Sequence, residues 1–203
     1  MIALYKTAQG LQEFCLQRQW KFCFIGGLAV LRWGQIRVTK DVDMTLLTGF
    51  GGEETYVDQV IERYRLRPVC SRDFALANRV LLVEDKEGIP VDIALGAIPF
   101  EERAIECSSL WEAENGLFLR TCSAEDLVVH KCFANRDIDW SDVENILARQ
   151  GRVLNLEQVR EELRPLAVLK PEAPILESLE RKIGRQARPF TKTNAVNPGS
   201  ERS

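Results

Sequence analysis

Two aspartates one residue apart, Asp41 and Asp43, close the stretch that most constrains this chain, Phe24–Met44. Lys21–Ile25 is apolar, too short for a helix and bounded by glycines, so it reads as a buried strand. Leu28–Trp33 reads as a helix ended by Gly34, and Val42–Leu47 as a second strand. Residues two apart in a strand share a face, so Asp41 and Asp43 project together while Val42 and Met44 face the core. Carboxylates this close raise each other's pKa unless a cation lies between them. Mg²⁺ suits such a pair, because it is commonly held by one or two carboxylates plus substrate phosphates. Gly26-Gly27 lets the backbone approach a ligand closely, and the helix behind it offers free N–H groups to a phosphate. The competing account is a tight strand-to-helix turn beside an exposed acidic pair.

The remaining chain predicts a mixed α/β domain followed by helices. Residues 4–19 suit a first helix, and Glu53–Tyr64 suits another, acidic at its start and with Arg63 and Arg65 at its end. Arg79–Glu84 and Ile89–Leu95 are strand-like and separated by Asp85-Lys86-Glu87-Gly88, a hairpin signal. Pro99–Cys107 suits a short helix and Leu117–Thr121 a further strand. Ser123-Ala-Glu-Asp opens a helix to about Asn135 with a capping-box look. Asp139–Gln150, Leu156–Leu163 and Glu172–Ile183 are further helices. The expected architecture is therefore an α/β (α+β) core over residues 1–122, a mixed sheet flanked by helices. A helical region follows over 123–185, then a loose polar tail over 186–203.

Charge and cysteine usage exclude some partners. With 27 Lys and Arg against 30 Asp and Glu, the formal net charge is −3, so no global basic field advertises nucleic acid. The six cysteines (15, 23, 70, 107, 122 and 132) form no C-x-x-C pair and read as reduced core thiols. The N-terminus lacks a signal-peptide pattern and no apolar run approaches spanning length, which predicts a cytoplasmic protein with no membrane partner.

A third acid is placed unusually. Asp92 is flanked by apolar residues inside a strand-like run, which is unfavourable unless the carboxylate is paired or metal-bound. If that strand lies beside Val42–Leu47, Asp92 joins Asp41 and Asp43, and three carboxylates can hold two ions that clamp a phosphoryl or nucleotidyl transfer. His130 is more readily structural than catalytic, and Trp20, Trp33, Trp111 and Trp140 read as core or interface residues.

Gly-Gly, a spacer, Asp-x-Asp and a later strand aspartate resemble the signature of the nucleotidyltransferase superfamily built on the polymerase-beta palm. The chain is similar in particular to the AbiEii/AbiGii (MenT-like) toxin branch and its stand-alone relatives. The residues that carry this are Gly26-Gly27-Leu28-Ala29, Arg37-Val38-Thr39-Lys40-Asp41-Val42-Asp43, Lys131, and Arg136-Asp137-Ile138-Asp139-Trp140-Ser141-Asp142-Val143, over roughly residues 20–150.

The resemblance implies Asp41 and Asp43 as the metal-binding pair and Gly26-Gly27 as the turn against the nucleotide phosphates. It implies Lys131 at the triphosphate, Asp139 as a further acid, and Arg37 and Thr39 as positioning residues of the nucleotide site. Asp92 matches the third acidic position by context, as a metal ligand or as the base. Asp139 alternatively caps a helix beginning at Trp140, and Asp142 faces Lys131 or Arg149.

The implied cofactor is Mg²⁺, or Mn²⁺, with a nucleoside triphosphate as substrate. The acceptor is an RNA such as the tRNA acceptor end, a protein or a small molecule, and a toxin role implies a cognate antitoxin. Two other classes stay open: a nucleotide-binding or interaction module without turnover, and a structural domain whose acids only cap and solvate. Basic residues between Arg152 and Arg188 give the C-terminal part a mild positive bias, interleaved with glutamates.

Overall fold

Strand β2, Val42–Leu47, lies inside a sheet because both of its neighbours are apolar strands that it satisfies edge to edge. On one side is β1, Phe22–Phe24, antiparallel, with Phe24 opposite Met44. On the other is β5, Pro90–Gly96, parallel, with Asp92 opposite Asp43. This computed structural model describes residues 1–186. The tail expected beyond that point lies outside the described residues.

The hairpin expected around Asp85–Gly88 forms between β4, Val80–Glu84, and β5. Asp85 turns the chain by accepting from the N–H groups of Glu87 (2.8 Å) and Ile89 (2.9 Å), and Gly88 takes the left-handed backbone that the turn requires. The short strand β3, Arg65–Leu66, adds an outer edge to β4. At the far side, β7, Leu117–Thr121, pairs parallel with β1, and β6, Ser109–Glu114, pairs antiparallel with β7. The seven strands run β3-β4-β5-β2-β1-β7-β6.

Alternation then assigns each face its own core. Val42, Met44, Leu46, Leu81, Val83, Val91 and Ile93 point to the first face. There they meet α1 (Ile2–Gln17), α3 (Glu53–Ile61) and α4 (Arg72–Asn78) through Leu11, Val57, Val60 and Ala75. The second face receives α2 (Gly26–Trp33), α5 (Pro99–Glu106) and α6 (Ala124–Ala134). Around α6 pack α7 (Asp137–Gln150), α8 (Leu156–Ala167) and α9 (Ile175–Gln186), whose Ile146, Leu163 and Leu179 fill a second core with Val30 and Leu127.

Helix α6 starts where its sequence says it should. Ser123 Oγ accepts from the Asp126 N–H at 3.0 Å and donates to the Asp126 carboxylate at 2.6 Å, so the third helical residue completes the cap with an aspartate. Five of the six cysteines are buried and all are free thiols, with Cys107 exposed. Among the described residues, no helix is long and apolar enough to cross a membrane.

Replacing Ile93, wholly buried beneath the acidic strands, by alanine is expected to destabilise the fold by about 2–5 kcal/mol. Ile36→Ala, at a side chain 74% exposed, is expected to change stability by less than about 0.5 kcal/mol. Urea denaturation of both variants checks the pair; equal effects would contradict this placement of the core.

Candidate active site

Helix α2 begins at Gly26 itself, two residues earlier than its apolar spacing suggests, and the early start brings its N-terminus onto Asp43. Gly26 holds φ +53°, and a Cβ there would lie 1.9 Å from Asp43 Oδ2. A Cβ on Gly27 would lie 2.1 Å from Thr39 Oγ1. Neither position has room for a side chain, so the glycine pair is what admits the carboxylate. The Gly27 N–H donates to Asp43 Oδ2 at 3.3 Å, a long bond at the positive end of the helix. Thr39 donates its hydroxyl to Asp41 Oδ1 at 3.1 Å, which orients the other member of the pair.

Val42 and Met44 are fully buried, so Asp43 lies on the opposite face, and Asp41, one residue before β2, is near enough for its charge to act on Asp43. Burial, the Asp41 charge and, less strongly, the Asp92 charge push the Asp43 carboxyl up to about 6; the Gly27 N–H and Lys131 oppose them. Such a group is short of positive charge. Asp92 stands opposite Asp43 across β2 and β5, but its carboxylate is taken by Arg67. Burial raises its pKa even so, against the pull of Arg67.

Among the described residues, no three His, Cys, Asp or Glu side chains are gathered closely enough to hold an ion together. The three carboxylates expected to gather are not drawn into one cluster here: Asp43 lies within reach of the Asp41 charge, and Asp92 is held by Arg67. The Asp41 and Asp43 pair fits a hard divalent cation: its donors are carboxylate oxygens, and one carboxyl is raised for want of opposite charge.

A chain of buried charges stands behind the pair. Lys131 donates to Asp139 Oδ1 (2.8 Å) and contacts Asp142 Oδ2 (2.9 Å), with its side chain only 7% exposed. Arg37 binds Asp142 with a two-pronged contact, both arms at 2.9 Å, and Arg136 binds Asp139 at 2.6 Å. Burial pushes the Asp139 carboxyl up, but hydrogen bonds from Arg136 and Lys131 outweigh it and hold it below the usual range. Helix α7 begins at Asp137, with Arg136 as its N-cap, so Asp139 sits inside the first turn and does not cap a helix from Trp140. Asp142 faces Lys131 and Arg37, whereas Arg149 donates to Gly34 O at 2.5 Å.

The network fastens the loop 35–41 to α7, and through Arg37 and Thr39 it sets where Asp41 stands. Arg67 escaped the sequence reading, because nothing in a two-residue strand announces it. Arg136 was visible as part of the motif but without a role. His130 lies against Phe100, ring centroids 4.9 Å apart, and burial lowers its pKa; it takes no part in the carboxylate site.

A solved structure shares this arrangement of elements. The chain is similar to an antigenic nucleotidyltransferase-like protein from Paracoccidioides brasiliensis, with TM-score 0.51 and 14% identity over 89% of this chain and 93% of that one. The fold is of the nucleotidyltransferase type. Lincosamide antibiotic adenylyltransferase LnuA, solved with lincomycin bound, matches with TM-score 0.42 and 13% identity, over 67% of this chain and 91% of its own. The antibiotic-resistance factor ANT(2'')-Ia matches with TM-score 0.47 and 18% identity, over 89% and 95%. No protein-family model matches the chain, and no curated protein matches it by sequence.

The raised Asp43 pKa makes a prediction about stability. An acid raised in the folded state is penalised above its folded pKa and not below its unfolded one, here 3.8. Asp43→Asn, whose amide oxygen still accepts from Gly27, is therefore expected to stabilise the metal-free protein by about 1–3 kcal/mol at neutral pH. The gain should shrink as pH falls from about 6 and vanish below about 4. Urea titrations in EDTA at the two extremes measure it; no gain at neutral pH would show that Asp43 is not held unfavourably.

Proposed function

We propose that this protein transfers a nucleoside monophosphate from a nucleoside triphosphate to a hydroxyl acceptor, with a divalent cation on Asp41 and Asp43. The observation that carries the proposal is the meeting of the α2 N-terminus with that pair. One glycine turn lies against a carboxylate raised to about 6 and carries the helix N–H groups to which a phosphate binds. The nucleotidyltransferase-type fold supports it.

The chemistry balances simply. The acceptor oxygen bonds to the α-phosphorus, the bridging bond to the β-phosphate breaks, and pyrophosphate leaves with its electron pair. A Mg²⁺ or Mn²⁺ held by Asp41 and Asp43 would supply charge neutralisation for the phosphates. The protein's part is positioning: Thr39 and the Arg37–Asp142 contact hold Asp41, Gly27 holds Asp43, and Asp92 faces the site as the acceptor's proton acceptor. Lys131 and Asp139 act in this scheme by fixing α7 and α6 to each other beside the nucleotide. Lys131 reaches the triphosphate only by leaving two carboxylates, so its positive charge is shared with them.

The motif order, similar to the AbiEii/AbiGii toxin branch, supports an RNA acceptor such as the tRNA acceptor end, with a cognate antitoxin. Two of the basic residues of α8 and α9 do not add to that support. Arg160 is paired with Glu180 and Lys182 with Glu144, both at 2.6 Å, so these charges serve helix packing.

Incubation with labelled nucleoside triphosphates and separate pools of RNA, protein and metabolites tests the proposal. Label is expected in one pool, lost to background with Asp41→Asn or Asp43→Asn. Thr39→Val, which removes only the hydroxyl on Asp41, should lower transfer by about 10–100-fold. Nucleotide binding without label in any pool would favour a non-catalytic module.

A further inference from the structure

Arg67 is held in place by the sheet itself. Its backbone N–H donates to Leu82 O at 3.1 Å, and Cys70 N–H donates back to Arg67 O at 2.9 Å, so the residue is pinned just beyond β3. Leu82 is the register partner of Asp92, and Asp92 is the register partner of Asp43. Leu82, Asp92 and Asp43 thus form one row across β4, β5 and β2, and partners in register point to the same face; Arg67, just beyond β3, extends the row through its bond to Leu82. The guanidinium reaches over Leu82 to the Asp92 carboxylate, where Nη2 contacts Oδ1. Its Nε is buried and has no partner among the described residues. An arginine at this place is therefore set on Asp92, with one donor unspent.

We propose that Arg67 stands where a second metal ion would be bound, so that the site takes a single divalent cation. This rests on the nucleotidyl-transfer reading above and deepens it. Counted with Arg67, the three carboxylates Asp41, Asp43 and Asp92 carry two formal negative charges, which one divalent ion neutralises. A second ion on Asp92 would have to sit against the guanidinium, charge against like charge. Arginine serves this place better than lysine because its fork is planar and permanently charged. Arg67 is thus a positioning residue: it fixes Asp92 and keeps it from becoming a metal ligand.

The test counts ions directly. The full chain is mixed with Mn²⁺ and the four ribonucleoside triphosphates bearing a methylene in the α–β bridge, and bound Mn²⁺ per bound nucleotide is read by electron paramagnetic resonance. One ion per nucleotide is expected for the wild type and two for Arg67→Ala, whose freed Asp92 can ligate. Arg67→Gln carries the same expectation should the alanine variant not fold. Asp92→Asn and the Arg67→Ala/Asp92→Asn double variant are expected to bind one ion each. Two ions in the wild type, or one in a folded Arg67 variant, overturns the assignment while leaving nucleotidyl transfer intact. Absence of any saturable Mn²⁺ or nucleotide binding overturns the underlying reading, and the assignment with it.

Discussion

The parallel pairing of β2 with β5 is the constraint on which the site depends. It sets Asp92 directly opposite Asp43, and the strand period then turns both away from the apolar face that Val42, Met44, Val91 and Ile93 bury. Carboxylates on the second face meet the N-terminus of α2, because Gly26 and Gly27 leave no side chain in the way. The hydrophobic face thus drives the sheet together, and the acids are carried to the opposite face as a consequence of register. Burial there is unfavourable for the charged form of Asp43, which is why its carboxyl rises to about 6. The proposed cation would relieve that burial.

Positive charge is supplied in two different ways around the pair. Arg37, Lys131 and Arg136 are each consumed by Asp139 or Asp142, so they act as a clamp between the loop before β2 and the helices α6 and α7. Arg67 comes from the opposite edge of the sheet and addresses Asp92 alone. Breaking a buried contact such as Lys131–Asp142 strands a charge in the interior, a loss of about 3–5 kcal/mol in comparable pairs. The clamp therefore ties the stability of the helical layer to the placement of Asp41, and a change in α7 is transmitted to the site through Arg37.

Much of this was legible because it follows from local periodicity. Strand β2 has the limits its alternation predicts, and the hairpin at Asp85–Gly88 and the Ser123 cap are where their turn and capping residues put them. That Asp92 comes near the pair rested on one assumption, that the two strands are neighbours, and they are; the register that sets it opposite Asp43 was not foreseen. What was missed is either short or decided by tertiary contact. Helix α4 buries only Ala75, so its sequence carries no apolar stripe. Strand β6 turns only Trp111 and Ala113 to the core and is otherwise exposed, too short an alternation to stand out. Arg67 follows a two-residue strand, and its role appears only once the register across β3, β4 and β5 is known. For Asp142 the sequence offered Lys131 or Arg149; the packing of α6 on α7 selects Lys131, and the added contact with Arg37 was not foreseen.

The central claim is that Asp43 is kept ready for a cation that arrives with a nucleotide. Isothermal titration of Mg²⁺-nucleoside triphosphate into the protein near pH 6, in buffers of different ionisation heat, tests it most directly. A cation that takes the place of the proton on Asp43 should bind with release of protons, so the heat should depend on the buffer, and Asp43→Asn should lose both the binding and the dependence. Equal binding by wild type and Asp43→Asn, or binding whose heat is the same in every buffer, would contradict the account.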